Sequence, residues 1–171
     1  MKKYKGFTLI ELMIVIVVIG ILASMMAIAS RESMSTAKAS NIVSNLRNFS
    51  MAAMALYTDK VDNLPSGPDI TEDVRLYLHN EGDIPDKDKN GNLKIRVKID
   101  TEKTWWAEYK LDDADNDRVR DKLNGRAKSA NLKGTTGDTP PTKLSNGEYP
   151  QYDSSTKHNY VWLLIRSSKK K

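Results

Sequence analysis

An uncharged apolar run near the start of the chain constrains its fold more than any other feature. The run extends from Leu12 to Ala29, a length of 18 residues, which approaches the ~20 apolar residues that span a bilayer. One carboxylate, Glu11, comes directly before it, and lysines stand at positions 2, 3 and 5. An ionisable residue at the margin of a membrane span is costly and indicates a function. The run therefore predicts a helix that needs lipid or neighbouring helices around it.

The helical pattern continues beyond the apolar run. From Ser30 onward, apolar side chains recur every three or four residues, the spacing of one helix face. These side chains are Ile42, Leu46, Phe49, Ala53 and Leu56. No Pro or Gly interrupts residues 21–58, whereas several follow Asp59, where they indicate a helix end. We expect one helix over residues 7–58, with residues 7–29 apolar on all sides and residues 30–58 amphipathic.

Residues 59–171 are expected to form a globular head with an antiparallel sheet. Apolar and polar residues alternate over 93–99 and over 105–111, which predicts two strands joined by a turn at 101–104. Residues 160–166 are apolar on both faces, so they predict a strand in the interior of the sheet. The fold class is therefore α+β: a long N-terminal helix packed by its second half on a sheet of three or four strands.

Two short helices and one long loop complete the predicted head. Residues 71–80 read as a helix that Asp69 or Thr71 caps. The aspartates of residues 112–117 indicate the first turn of another helix, which ends near Gly125. Residues 128–159 are rich in Gly, Pro, Ser and Thr and are interpreted as a loop, whose length is unusual for a compact domain.

The three tryptophans receive different interpretations. Trp105 and Trp162 are predicted to belong to the core. Trp106 shares a strand face with Glu108 and Lys110, so it is predicted to be exposed and is the candidate for a binding surface.

Residues 6–11, Gly-Phe-Thr-Leu-Ile-Glu, follow a basic leader and precede the apolar run. This arrangement resembles the class III signal of type IV pilins and of the pseudopilins of type II secretion. In those families a membrane peptidase cuts after the glycine and methylates the new N-terminus. The resemblance implies that Gly6 and Phe7 are the processing residues, that residues 1–6 are a cleaved leader, and that Glu11 guides assembly.

The resemblance also implies an architecture, a location and partners. It implies the pilin fold, with a stem that builds a helical homo-oligomer, a prepilin peptidase and a membrane assembly machinery. Gly20 matches a glycine of related pilins and is the second candidate assembly residue. Many relatives carry a proline eight residues later, where this chain has Ile28, so a local melting of the stem there is in doubt. The function implied is a type IV pilus filament for adhesion, surface motility or biofilm formation.

Charge predicts how the chain sits in the membrane. Positive residues stay on the cytoplasmic side, so the lysines before the run place the head outside the cytoplasm. Residues 59–171 contain 21 basic and 20 acidic side chains, and this near balance gives no reason to expect a nucleic-acid partner.

The chain has no cysteine, which excludes a disulfide framework. Many pilins close their C-terminal loop with a disulfide. The departure leaves open what holds the loop of residues 128–159, and it suits a Gram-positive-type major pilin or a pseudopilin.

Three alternatives remain at this point. Ala27-Ile28-Ala29 offers a cleavage site for a conventional signal peptide, although the run exceeds the ~7–15 residues of its apolar region. A single-pass anchored binding protein explains the run but neither Gly6-Phe7 nor Glu11. A pseudopilin of type II secretion shares the whole signal.

The chain offers few candidates for chemistry. His79 and His158 lack ligand spacing, and neither a G-x-S-x-G motif nor a phosphate loop is present, so no enzyme and no cofactor is expected. Asp86, Asp88 and Asn90 match the first half of a calcium-binding EF-hand loop. The position that needs a bidentate Glu is Val97, so no metal site is predicted.

Overall fold

One very long helix dominates the molecule. The computed structural model describes residues 6–61, 63–65, 67–78, 92–99, 102–112 and 117–169. The helix, α1, extends over Leu9–Asp59 and has 51 residues, which corresponds to about 76 Å at ~1.5 Å per residue. The prediction of one helix over residues 7–58 is confirmed to within two residues at each end.

The head contains a four-stranded antiparallel sheet, so the predicted α+β class is confirmed. In chain order the strands are β1 (Leu93–Ile99), β2 (Glu102–Lys110), β3 (Leu132–Thr135) and β4 (Tyr160–Lys169). Their order across the sheet is β1-β2-β4-β3. The last strand is therefore interior, as its apolar sequence predicts.

Two short helices lie beside the sheet, α2 (Thr71–Arg75) and α3 (Asp117–Ala127). The first is shorter than predicted, because the amides of Tyr77 and Leu78 bond three residues back and tighten the chain into a turn. The second continues beyond Gly125 because Ala127, in its last turn, is buried against the core.

The segment interpreted as one loop, residues 128–159, contains a strand. β3 has only four residues, Leu-Lys-Gly-Thr, and a glycine weakens the strand pattern. Its pairing comes from β4, whose Leu163 lies opposite Leu132. The turn expected at residues 101–104 is also shorter than predicted, since β2 already begins at Glu102.

The apolar stripe of α1 packs against one face of the sheet. All five predicted stripe residues are buried, and they join a core that includes Ile95, Trp105 and Val161. The ring of Tyr57 meets the edge of Trp105 at 5.6 Å between centroids. The second half of α1 is thus an integral part of the head.

The other face of the sheet is covered by the long C-terminal loop. Trp106, predicted to be exposed, is 0% exposed, and its ring meets Tyr149 edge-on at 4.8 Å. Its indole Nε1 donates a hydrogen bond to Thr104 Oγ1 at 2.9 Å. The prediction for Trp106 is wrong because the loop supplies a cover that strand alternation does not reveal. The predictions for Trp105 and Trp162 are confirmed, since both are buried.

Both edges of the sheet are covered by short extended segments. On the β1 edge, Ile70 N donates to Ile95 O at 3.1 Å and Val97 N donates to Pro68 O at 2.9 Å. On the β3 edge, Tyr152 N donates to Leu132 O at 3.1 Å. Covered edges have few unpaired backbone groups with which a foreign strand can pair.

Candidate functional site

The N-terminal end of α1 is organised by a capping box. Thr8 occupies the N-cap position, and its side chain accepts a hydrogen bond from Glu11 N at 3.3 Å. In return, Thr8 N and Thr8 Oγ1 donate to Glu11 Oε2 at 2.8 and 2.7 Å. These reciprocal bonds satisfy amides that a helix N-terminus leaves unpaired. They also hold the Glu11 carboxylate at the tip of the helix.

The residues predicted to be processed lie just before this cap. Gly6 is exposed and not helical, and a Cβ built on it would meet nothing within 4 Å. Phe7 is 87% exposed. The peptide bond between them is therefore accessible, and cleavage there stays a prediction.

The first half of α1 stands free of the head. Every residue from 6 to 34 is exposed, although most side chains of residues 9–28 are apolar. By length and composition α1 is one helix able to cross a membrane. We call residues 7–29 the stem. Its exposed apolar surface requires lipid or other helices around it.

Gly20, the second candidate assembly residue, lies on the open surface of the stem. A Cβ at this position would meet nothing within 4 Å, so the glycine is not required by packing within one subunit. Ser24 Oγ donates to the Gly20 carbonyl at 2.8 Å, a bond that satisfies the serine inside the apolar segment. A role for Gly20 in packing between stems stays a prediction.

The α3 helix contacts α1 close to the point where the stem joins the head. Lys122 forms an ion pair with Glu32, and Arg126 Nη1 donates to Ser40 Oγ at 2.5 Å. Residue numbers in α3 and α1 rise together along these contacts, so the two helices run parallel. Burial of α1 begins at Ser35, three residues after Glu32, so the exposed part of α1 extends past the stem to residue 34.

An ion-pair network centred on the buried Glu108 carboxylate connects the long loop to the sheet. Arg96 in β1 bonds Glu108 Oε2 in β2 through Nε at 2.9 Å, and Asp138 of the loop through Nη2 at 3.0 Å. Its Nη1 lies 3.7 Å from Asp69 Oδ2. Burial raises the pKa of the Glu108 carboxyl, although the ion pair with Arg96 opposes the shift. The Asp138 contact and the contact of Tyr149 with Trp106 tie the loop to the sheet without a disulfide.

His158 stabilises the last turn of the loop of residues 128–159 through two hydrogen bonds. Its Nδ1 accepts a hydrogen bond from Asp153 N at 3.2 Å, and its carbonyl accepts one from Arg120 Nη1 at 2.6 Å. Burial lowers the pKa of the imidazole, although the Asp153 carboxylate opposes the shift. The ring lies directly over Gly134 in β3, where a Cβ would come within 2.2 Å of Nδ1. His158 is thus a structural residue of the head.

The partial calcium loop falls outside the described residues, as does His79. The prediction that Asp86, Asp88 and Asn90 hold no metal therefore stays a prediction. In the described part of the chain, no group of three or more His, Cys, Asp or Glu side chains is placed to hold a metal ion.

Sequence reasoning missed two features of the site. Thr8 carries a recognisable signal, because Thr-x-x-Glu before an apolar run is a capping-box pattern. The Arg96–Glu108–Asp138 network carries none, because its members are 42 residues apart at the extremes and only the folded sheet brings them together.

Comparison with known proteins agrees with the geometry of the N-terminal end. A family model described as the prokaryotic N-terminal methylation motif matches residues 1–27. No solved structure gave a significant match to the chain. The motif implies processing by a prepilin peptidase and assembly into a filament, and it points to a structural protein. Residues 1–27 thus carry a class III signal of the kind found in type IV pilins and pseudopilins, on a chain whose long helix and antiparallel sheet form a pilin-like α+β arrangement.

Proposed function

We propose that this chain is the structural subunit of a type IV pilus. The subunit is inserted in the cytoplasmic membrane with its head outside, is cut after Gly6, and assembles through its stem into a surface fibre. The observation that supports this proposal most is the stem itself. Its residues from 9 to 28 are all exposed in the subunit, and the methylation motif, matched over residues 1–27, covers nearly all of them.

The sheet is unsuited to carry the assembly by strand addition. Its β1 edge is covered by residues 68–70 and its β3 edge by residues 150–152. A fibre built by pairing of edge strands needs at least one open edge. Polymerisation through the stems is the route that leaves the head intact.

Assembly exchanges lipid for neighbouring stems, which is a nearly even exchange in hydrophobicity. Register must therefore come from a specific contact. Glu11 and the Phe7 amine of a neighbouring subunit supply one, and their attraction is strengthened in the low dielectric of a stem bundle. The capping box supports this role because Thr8 holds the carboxylate at the end of the helix where the new amine is formed.

The proposal is tested by isolating surface fibres. Cells that express the chain with its native assembly machinery are sheared, and the fibres are imaged and analysed by mass spectrometry. We expect fibres whose subunit starts at an N-methylated Phe7. A subunit that starts at Ser30 would establish a conventional signal peptide, and an uncleaved membrane protein without fibres would establish a simple anchor.

A pseudopilin of type II secretion is the second candidate, because the same N-terminal motif serves both classes. It predicts short periplasmic assemblies and a secretion defect on deletion of the gene. Long fibres at the cell surface, with secretion unchanged by the deletion, would decide for the pilus.

A further inference from the structure

The side of the head between α1, α3 and β4 carries a basic groove. It has a volume of about 700 Å³, and its apolar lining includes Val43, Met51 and Leu163. Arg47 and Arg126 stand at its walls, among serines. Its described lining contains no carboxylate, and Arg47 is exposed. The groove is therefore suited to an acidic partner with an apolar tip.

A surface of that chemistry lies on the opposite side of the same head. Glu72, Asp73 and Leu76 project from α2 and the turn that follows it, and all three are exposed, Leu76 to 83%. Leu76 lies four residues after Glu72 and three after Asp73, and these two spacings place side chains on the same face of a helical turn. We call these three residues the acidic knob. Arg75 Nη1 lies 3.6 Å from Glu72 Oε1, so Asp73 is the carboxylate with no ion pair inside the described part of the head.

The knob and the groove lie at opposite edges of the sheet. The knob follows Ile70, which is bonded to the β1 edge. The groove is lined by Leu163 of β4 and by Ser129 and Ala130, which directly precede β3 at the other edge. Three strand spacings of ~4.8 Å separate the two edge strands. Two copies can therefore join knob to groove while each keeps its other surface free.

Contacts between different patches on opposite sides of a molecule are heterologous, and they extend into a ring or a helix rather than closing a dimer. We infer that the acidic knob of one subunit docks in the Arg47–Arg126 groove of the next copy of this chain, as a contact between heads in the fibre. This inference rests on the proposed filament function. Exposed ion pairs add little energy by themselves. The charges in such a contact therefore act mainly by fixing which surfaces meet and in what register.

The absence of cysteine makes this contact testable by disulfide cross-linking. The full chain is expressed with its assembly machinery as the double variant Arg47→Cys/Asp73→Cys, and sheared fibres are oxidised and run on a denaturing gel. A heterologous contact predicts a reducible ladder of dimers, trimers and longer species. Each single variant predicts no ladder, since one cysteine meets no second one. The matched control is Asp73→Cys with Ser145→Cys, which is exposed on the loop and predicts no ladder.

Charge reversal gives a second, independent readout. Arg47→Glu and Asp73→Arg, made separately, are each expected to lower fibre yield several-fold without changing the amount of cleaved subunit in the membrane. Combined in one chain, they are expected to restore most of the yield. Both residues are exposed, so folding is not at risk.

The outcomes separate the two proposals. Two outcomes would overturn the docking alone. One is that the Arg47→Cys/Asp73→Cys variant forms fibres that give no ladder on oxidation. The other is that the single charge reversals give the wild-type fibre yield. A disulfide dimer from either single variant would indicate a symmetric contact and would also overturn it. Absence of fibres from the wild-type chain would overturn the filament and the docking together.

Discussion

At the scale of single residues, Glu11 caps its own helix, and we propose that it also pairs with the Phe7 amine of a neighbouring subunit; substitution can separate these two roles. Glu11→Ala is expected to reduce fibre number by about tenfold or more, with insertion and cleavage unchanged. The Phe7 amine would then be buried among stems without a partner, which costs several kcal/mol in typical cases, and ~1.4 kcal/mol is a factor of ten. Fibre counts and the cleaved subunit in the membrane fraction measure the two effects.

Thr8→Ala is the matched control for this prediction. It removes the capping bonds of Thr8 Oγ1, which costs about 1 kcal/mol of local helix stability, but it keeps the carboxylate. We expect fibres from Thr8→Ala. Equal loss of fibres from both variants would assign Glu11 to capping alone, and wild-type fibre numbers from Glu11→Ala would exclude the pairing mechanism.

His158 should make the stability of the head depend on pH. Burial lowers the pKa of its imidazole in the folded state, so protons bind more strongly to the unfolded chain. Its contribution is therefore complete above the unfolded pKa of ~6.5 and is lost as pH falls through the folded value. Thermal unfolding of the full chain in detergent between pH 8 and pH 5 should show a falling melting temperature from this group.

His158→Asn isolates that effect, because the Asn carbonyl can accept the Asp153 amide without titrating. The variant should lose part of the wild-type decrease between pH 6.5 and pH 5. Asp153 has a lowered pKa because it accepts hydrogen bonds from Ser155, so it acts at lower pH. Glu108 has a raised pKa because of burial and gives the opposite slope. Both carboxyl groups are present in the wild type and in His158→Asn, so the difference between the two pH profiles reports on His158. Identical pH profiles would contradict the role of His158.

At the scale of elements, Arg96 joins two strands to the loop that covers them. Arg96→Met is expected to lower the free energy of unfolding by about 3 kcal/mol, because Glu108 is left buried without its partner. Glu108 is 2% exposed, so water cannot replace the guanidinium. Chemical denaturation of the full chain in detergent measures the change.

Three further variants test that explanation. Lys98 lies on the same face of β1 as Arg96. Lys98→Met should change the free energy of unfolding by less than about 0.5 kcal/mol. Asp138→Asn should cost less than about 1 kcal/mol, because Asp138 is 53% exposed. Arg96→Met/Glu108→Met should recover part of the loss, since it removes both charges. A loss for Arg96→Met no larger than for Lys98→Met would show that the network does not hold the loop.

The β3 strand depends on a glycine. Gly134→Ala would place a methyl group 2.2 Å from Nδ1 of His158 and 2.8 Å from its Cγ, so the ring and its turn must shift. Forced overpacking of this kind costs about 1–3 kcal/mol. Gly137→Ala is the control two residues beyond the strand, where a Cβ meets nothing within 4 Å, and its melting temperature should match the wild type. Equal melting temperatures for the two variants would contradict the close contact.

At the scale of the whole molecule, we predict that the head folds without the stem. We expect residues 30–171 alone to form a soluble monomer, because no residue from 9 to 34 is buried and their removal uncovers no core. The stripe from Ile42 to Leu56 remains docked on the sheet. Size-exclusion chromatography with light scattering tests this. Aggregation without detergent, or filaments of the fragment, would show that the stem is not the main assembly surface.

The sequence by itself determined the long helix and the two environments that it needs. Residues 12–29 are apolar on every side, and the five stripe residues after them recur at helical spacing. Both patterns are local, so their physical consequence could be derived without knowing the rest of the chain. The residues of the N-terminal signal are likewise contiguous, which is why the processing and assembly candidates could be named from the sequence.

The tertiary structure alone decided what covers the second face of the sheet. Alternation in β2 separates Trp105 from Trp106 but does not show which face meets solvent, because a sheet has two faces and both can be buried. The cover comes from Tyr149 and Asp138, in a segment with little periodicity of its own. Arg96 and Glu108 read as surface charges in the sequence, but the fold pairs them with Glu108 only 2% exposed and Arg96 17% exposed, and Asp138 of that distant loop joins the pair.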